Sequence, residues 1–249
     1  MDLPMARPYS SPLGNETLRR MANAQAYNDW IYRRLQPFMG NRVLEVGCGI
    51  GNMTPYFLDR QLVVSLDLQA ESILDIRQQL GHVENFTAIQ GDIVESALVQ
   101  KLRPYQFDTA ICLNVLEHIP DDVTALAHMA ELLAPGGRLL LFVPAGQWAF
   151  GTLDQALDHQ RRYDRADLEH KVTTAGLEIE QLKYSNPVGL FGWFFSSRVL
   201  RRKLLDPGLL SVFDRLAPWL ASLEDQWTPP LGQSLLCIAR KPTVPPTSA

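Results

Sequence analysis

Residues 43–54 read VLEVGCGIGNMT, an apolar strand that runs into an acidic residue and then a turn dense in glycine. Glu45, Gly47, Gly49 and Gly51 form the pattern E-x-G-x-G-x-G, and a helix-compatible segment follows. Glycine at alternate positions lets the backbone take positive φ and approach a ligand that a Cβ would hold off. A helix start placed after such a turn offers free N–H groups to a polar or negative partner. The pattern points to a nucleotide-like ligand held at the carboxyl end of a first β-strand.

Spacing narrows the choice of ligand. A dinucleotide fingerprint needs G-x-G-x-x-G, its third glycine allowing close packing of helix on strand. Counted from Gly47 and Gly49, that third position is Asn52. Glu45, two places before the first glycine, would also repel a diphosphate. An acid there suits a ligand with a cationic part, such as the ammonium and sulfonium of S-adenosylmethionine.

Strand-like apolar runs alternate with helical patterns from residue 43 onward, the sign of a parallel α/β sheet. Strands are expected at Arg42–Val46, Leu62–Asp67, Thr87–Gln90, Phe107–Leu113, Arg138–Pro144, Leu177–Ser185 and Leu235–Arg240. Helices are expected at Thr54–Arg60, Ala70–Leu80, Val94–Lys101, Asp122–Leu133 and Arg165–Ala175, with one or two more in Thr17–Met39. Pro135-Gly136-Gly137 should end the fourth of these in a turn that no helix continues through. The stretch 187–230, rich in Phe, Trp and Leu, is too long for a hairpin and reads as a helical cap. Residues 1–16 and 242–249 read as a flexible start and a disordered tail around one domain, 17–241.

With 249 residues, 46% hydrophobic and 20% charged, the chain can bury a core without staples. Its net charge of −4 argues against a general nucleic-acid binder. Cys48, Cys112 and Cys237 lie far apart in apolar runs, as reduced thiols of a cytoplasmic protein do, and nothing resembles a metal site. The first residues lack the apolar run of a signal peptide, and no segment approaches the roughly 18 apolar residues that span a bilayer.

Four further signals fall at strand ends. Asp67 closes the second strand, where a carboxylate can accept from two ribose hydroxyls or, alternatively, start a helix. Gly91-Asp92-Ile93 closes the third, Asn114 followed by Val115-Leu116-Glu117-His118-Ile119 the fourth, and Ala134-Pro135-Gly136-Gly137-Arg138 leads into the fifth. With VLEVGCGIGN, Asp67, GDI at 91–93, FDTAICLNVLEHI at 107–119 and LLAPGGRLLLFVP at 133–144, the chain resembles the class I S-adenosylmethionine-dependent methyltransferases over roughly residues 25–185.

That resemblance implies a Rossmann-like, seven-stranded, mostly parallel sheet with helices on both faces, an antiparallel last strand and the cap inserted before it. It implies S-adenosylmethionine as cofactor, released as S-adenosylhomocysteine. Glu45, Gly47, Cys48, Gly49, Gly51 and Asn52 would line the methionine part, and Asp67 with Leu68 the ribose. Asp92 and Ile93 would meet the adenine, and Asn114 with Val115 the methionine ammonium. Tyr27 either closes over the cofactor or packs its own helix. His118 is a candidate base or a structural residue opening a helix, and Glu117 reads as a helix N-terminal carboxylate.

After the fifth strand, Asp158-His159-Gln160-Arg161-Arg162-Tyr163 resembles an H-x-R-R-Y element of a bacterial small-molecule subgroup, in which Gly often precedes the His. His159 could take a proton from an acceptor hydroxyl or amine. Arg161 or Arg162, with Tyr163 and Trp193, could hold an acceptor bearing an acidic or apolar group. The alternative is that His159 and the arginines brace the loop against Asp154 and Asp158. WFFSSRVLRRKLL reads as a basic amphipathic helix, favoured as a cover for an apolar pocket over a membrane contact. The expected activity is metal-independent methyl transfer to oxygen or nitrogen of a small or medium organic acceptor, by a monomer or homodimer with no nucleic-acid partner. An aminoalkyl or polyamine-type transferase, a cyclase and a non-catalytic binding module are the alternatives on this scaffold.

Overall fold

The computed structural model describes residues 12–243. Seven strands form one sheet: β1 (Arg42–Val46), β2 (Leu62–Asp67), β3 (Phe86–Gln90), β4 (Phe107–Leu113), β5 (Leu133–Pro144), β6 (Glu178–Ser185) and β7 (Ser234–Arg240). Their order is β3-β2-β1-β4-β5-β7-β6, with β7 antiparallel to both neighbours and the others parallel. The order reverses between β1 and β4. In open α/β sheets that reversal opens a crevice beyond the carboxyl ends of the strands.

Alternation along each strand divides the core into two layers. Val43, Val63, Ile111, Leu140 and Ile238 face one side, against α2 (Gln25–Leu35) and α3 (Ala70–Leu80). Leu44, Val64, Ala110, Leu139 and Ala239 face the other, against α4 (Ser96–Leu102), α5 (Asp122–Leu132) and α7 (Arg165–Thr174). Both faces are covered, which is why the central strands read as unbroken apolar runs. The three cysteines are buried free thiols.

Three expectations need correction. The segment expected as a helix at Thr54–Arg60 is a 3₁₀ turn over Thr54–Phe57. Pro55 occupies its first turn, the Thr54 hydroxyl is drawn inward to Glu45 at 2.7 Å, and β2 already begins at Leu62. Strand β5 starts at Leu133 rather than Arg138: the Pro-Gly-Gly stretch is a bulge in the strand. Gly136 takes φ +82° there and donates to the Lys241 carbonyl, while Lys241 N donates to Gly137 O, so the bulge is tied to the end of β7. Helix α1 spans Pro12–Ala22, so regular structure begins inside the stretch read as a flexible start. Residues 1–11 and most of the expected tail lie outside the described residues.

Between β6 and β7 the chain forms α8 (Pro187–Phe194), a π-helical turn at Phe195–Val199 and α9 (Pro207–Gln226). Asp206 caps α9 by accepting from Gly208 N and Leu209 N. Helix α9 lies against α2: Phe213 meets Tyr27 edge to face at 5.5 Å, and Arg34 pairs with Glu224 and Asp225.

Candidate active site

A cavity of about 330 Å³ opens at the carboxyl ends of β1, β2 and β4. The glycine turn forms its floor. Gly47, Gly49 and Gly51 all have positive φ, at +77°, +53° and +84°. Gly47 N and Cys48 N donate to the Leu66 carbonyl, and Gly49 N donates to Asp67 Oδ2 at 2.8 Å, so the turn is folded back onto β2. A Cβ on Gly47 would stand 2.3 Å from Val115 Cγ2, and one on Gly51 would stand 3.1 Å from Ile76 Cδ1. Both glycines therefore make room for neighbouring side chains; Gly47 also borders the cavity, whereas Gly51 is not brought to it.

Acidic groups ring one end of the cavity. Glu45 is buried, and its Oε2 accepts from Thr54 Oγ1 and from Ser65 Oγ at 2.5 Å. Burial pushes its carboxyl up to about 7, against the pull of those two hydroxyls. Asp67 accepts from Gln69 N as well as Gly49 N; burial raises its pKa, and the two N–H groups oppose the shift. Leu68, Asp92, Ile93, Asn114, Val115, Cys48, Gly49 and Asn52 also border the space. Asn114 has φ +52° and donates its N–H to Phe142 O, which turns the chain over the end of β4. Tyr27 lines the cavity and also packs on Trp30 and Phe213.

The other end is built around Asp154, from the short helix α6 (Thr152–Ala156). Its Oδ1 accepts from His159 Nδ1 at 3.0 Å and from Arg162 Nε at 2.7 Å. Its Oδ2 accepts from Trp193 Nε1 and Gly151 N. Burial opposes ionisation, but the His159 hydrogen bond and the Arg162 charge prevail and hold this carboxyl below its ordinary range. Arg162 lies under Trp193, its guanidinium carbon 4.9 Å from the ring centre. The His159 ring is parallel to Trp193 and edge-on to His118, 4.7 Å from the latter.

Glu117 faces this group. It is fully buried, and neither carboxylate oxygen takes a hydrogen bond from another residue among those described. Burial raises its carboxyl to about 7, with the charges of His159 and Arg162 pulling part of the way back. Its Oε1 is 3.9 Å from His159 Nε2. The reading of Glu117 as a helix N-terminal carboxylate is therefore corrected: Leu116–His118 is an inward 3₁₀ turn, clamped by Gln160 N donating to the Glu117 carbonyl. Burial pushes His118 down to about 3, so it is neutral. Glu117, His118 and His159 hold one ligand-type atom each within 4.8 Å of one another.

Two expected acceptor contacts are not brought to the cavity. Arg161 pairs with Asp122 at 2.7 Å and donates to Pro120 O. Tyr163 is fully buried, its hydroxyl donating to Asp122 Oδ2 at 2.8 Å. Asp122 draws both because it anchors α5, with Lys171 as a third partner. Arg162, His159 and Trp193 do border the cavity. Asp158 takes φ +60°, a conformation that a glycine adopts without strain.

Comparison with known proteins agrees with this architecture. Residues 44–139 match the model of a methyltransferase domain family. A ubiquinone biosynthesis O-methyltransferase of Xylella fastidiosa (strain 9a5c) is 39% identical over 171 residues, 62% of this chain and 67% of that protein. Among solved structures, an S-adenosylmethionine dependent methyltransferase from Mesorhizobium loti superposes with a TM-score of 0.57 at 16% identity, covering 84% of this chain and 95% of that one. Magnesium protoporphyrin IX methyltransferase from Synechocystis PCC 6803, with bound SAH, gives 0.54 at 16% identity over 89% and 84%. With its strand order, its glycine turn and this likeness, the chain belongs to the class I S-adenosylmethionine-dependent methyltransferases and is an enzyme that uses that cofactor.

Proposed function

We propose that the enzyme methylates a hydroxyl oxygen of a small or medium organic acceptor, with Glu117 and His159 as the groups that receive the hydroxyl proton. The observation that carries this reading is Glu117 itself. A buried carboxyl raised to about 7, with no hydrogen-bond partner from another of the described residues and a histidine beside it, is poised to exchange a proton near neutral pH. The name of the Xylella relative, an O-methyltransferase, supports oxygen over nitrogen.

The cavity fits the cofactor. Its volume lies within the ~300–1,000 Å³ of small-molecule sites, and its deep end presents acceptors to a ligand that carries hydroxyls, an amino group and two cationic centres. Each Asp67 oxygen keeps a lone pair for a ribose hydroxyl after accepting one backbone N–H. When bound, the sulfonium supplies an already activated methyl carbon. The protein then has to align an acceptor oxygen with that carbon and remove its proton. Asp154 is ionised and can only accept, so His159 directs its Nδ1–H there and leaves Nε2 open toward Glu117. Trp193 walls the acceptor end. Arg162 keeps Nη2 without a partner among the described residues, a donor available to a carbonyl or carboxylate of the acceptor. His118, held neutral, completes the wall.

A second reading rests on the close set of Glu117, His118 and His159. A divalent cation held there would acidify a bound hydroxyl in place of a base. One experiment separates the readings. The enzyme, dialysed against a chelator, is given methyl-labelled cofactor and a panel of phenols, carboxylates and amines. A labelled methyl ether formed without added metal is the expected product. Labelled amines only, or ether formation restored solely by a divalent cation, would overturn the oxygen assignment or the proton-acceptor role respectively.

A further inference from the structure

The cap was expected to lay its apolar side over the acceptor pocket, yet of residues 191–205 only Trp193 and Leu205 border the cavity. Val188, Phe191, Phe195 and Val199 recur every three to four residues along α8 and the π turn, and they face outward, with Phe191 75% and Val199 57% exposed. Trp148, half exposed, joins this face by packing on Phe194 at 5.7 Å. At its end stand Arg198, Arg201, Arg202 and Lys203. From Pro187 to Leu205 the sequence holds these four cations and no acidic residue, in a chain whose net charge is −4. Arg202 pairs with Asp206; among the described residues Arg201 and Lys203 take no ion-pair partner and are exposed.

We propose that this face docks on the surface of an anionic phospholipid bilayer. Aromatic and aliphatic side chains flanked by arginine and lysine match the chemistry of the lipid interface, where rings sit at headgroup depth and cations meet phosphate. Charge decides against a second copy of the chain. Across a two-fold contact this patch would meet its own copy, bringing Arg201 and Lys203 of both chains onto one apolar face with no acid from Pro187 to Leu205 to offset them. Among the described residues no helix is long and apolar enough to cross a membrane, so the contact is with the surface. The inward side of α8 carries Trp193, so docking brings the acceptor end of the cavity next to lipid. The proposal stands independently of which atom the enzyme methylates.

The test is sedimentation of the full chain with phosphatidylcholine vesicles, with and without a third of phosphatidylglycerol. Expected is roughly tenfold more bound protein on the anionic vesicles, falling as salt screens the charges. Phe191→Ser/Phe195→Ser and Arg201→Glu/Lys203→Glu should each reduce binding to the neutral-vesicle level, with melting temperature and cofactor affinity unchanged. As a readout free of any folding defect in those variants, brominated acyl chains should quench wild-type tryptophan fluorescence, and Trp148→Phe should remove part of that quenching. Equal binding to both vesicles, full binding by folded variants, absent quenching, or self-association abolished by Phe191→Ser/Phe195→Ser without vesicle binding would each overturn the proposal.

Discussion

Asp154 illustrates how one side chain orders the end of this cavity opposite the glycine turn. It is buried and satisfies His159, Arg162, Trp193 and the Gly151 N–H at once. Removing it strands the Arg162 charge in the interior, so Asp154→Ala should cost about 3–5 kcal/mol in denaturant unfolding. A loss under 1 kcal/mol, the scale of exposed pairs, would show that the network is not coupled. Glu117 makes an opposite demand. Its carboxyl, raised from 4.5 to about 7, stabilises the fold while protonated. That contribution is complete below about pH 4.5 and is lost as pH rises through about 7. Glu117→Gln should therefore lose less melting temperature between pH 5 and 8 than wild type does, with Glu45 adding a slope of the same sign and His118, held neutral in the fold, opposing it up to about pH 6.5. The sequence allowed for Asp154 and Asp158 as braces for His159 and the arginines, and of the two Asp154 bonds to His159 and Arg162. It gave no sign that Glu117 points inward, since the burial of a carboxylate is set by the turn around it.

The glycine turn shows the same division among elements. Strands β1, β2 and β4 match the expected boundaries because each is an apolar run ended by a change of residue type. The reason for Gly47 was hidden: its missing Cβ makes room for Val115, a residue distant in sequence. Gly47→Ala adds a clash to the ~1–3 kcal/mol that a non-glycine residue pays at such φ. Gly47→Ala/Val115→Ala should recover part of the lost stability but not all of it; full recovery would mean that φ matters little here. Helix α9 was equally opaque. Leu209, Val212, Leu216, Trp219 and Leu223 form an outer stripe, while Phe213, Ala217, Leu220 and Ala221 face the body. Both stripes have helical spacing, so periodicity cannot tell which one is covered.

In the whole molecule, the reversal of strand order puts Glu45 of β1, Asp67 of β2 and Asp92 after β3 at one end of a cavity and the Glu117–His159 pair at the other. Topology of this kind is legible from the order of motifs, whereas the end that holds the Glu117–His159 pair depends on loops that meet only after folding. Cofactor at a hundred times its Kd should stabilise the wild-type fold by about 2.7 kcal/mol. Asp67→Ala should abolish most of that gain, and an undiminished thermal shift would remove Asp67 from the site. The proton-acceptor pair is tested by single-turnover methyl transfer to a phenolic acceptor between pH 6 and 8. The wild-type rate should rise through about pH 7, while Glu117→Gln should be about a hundredfold slower with that rise lost. A Glu117→Gln enzyme with the wild-type rate and the same rise would contradict the assignment.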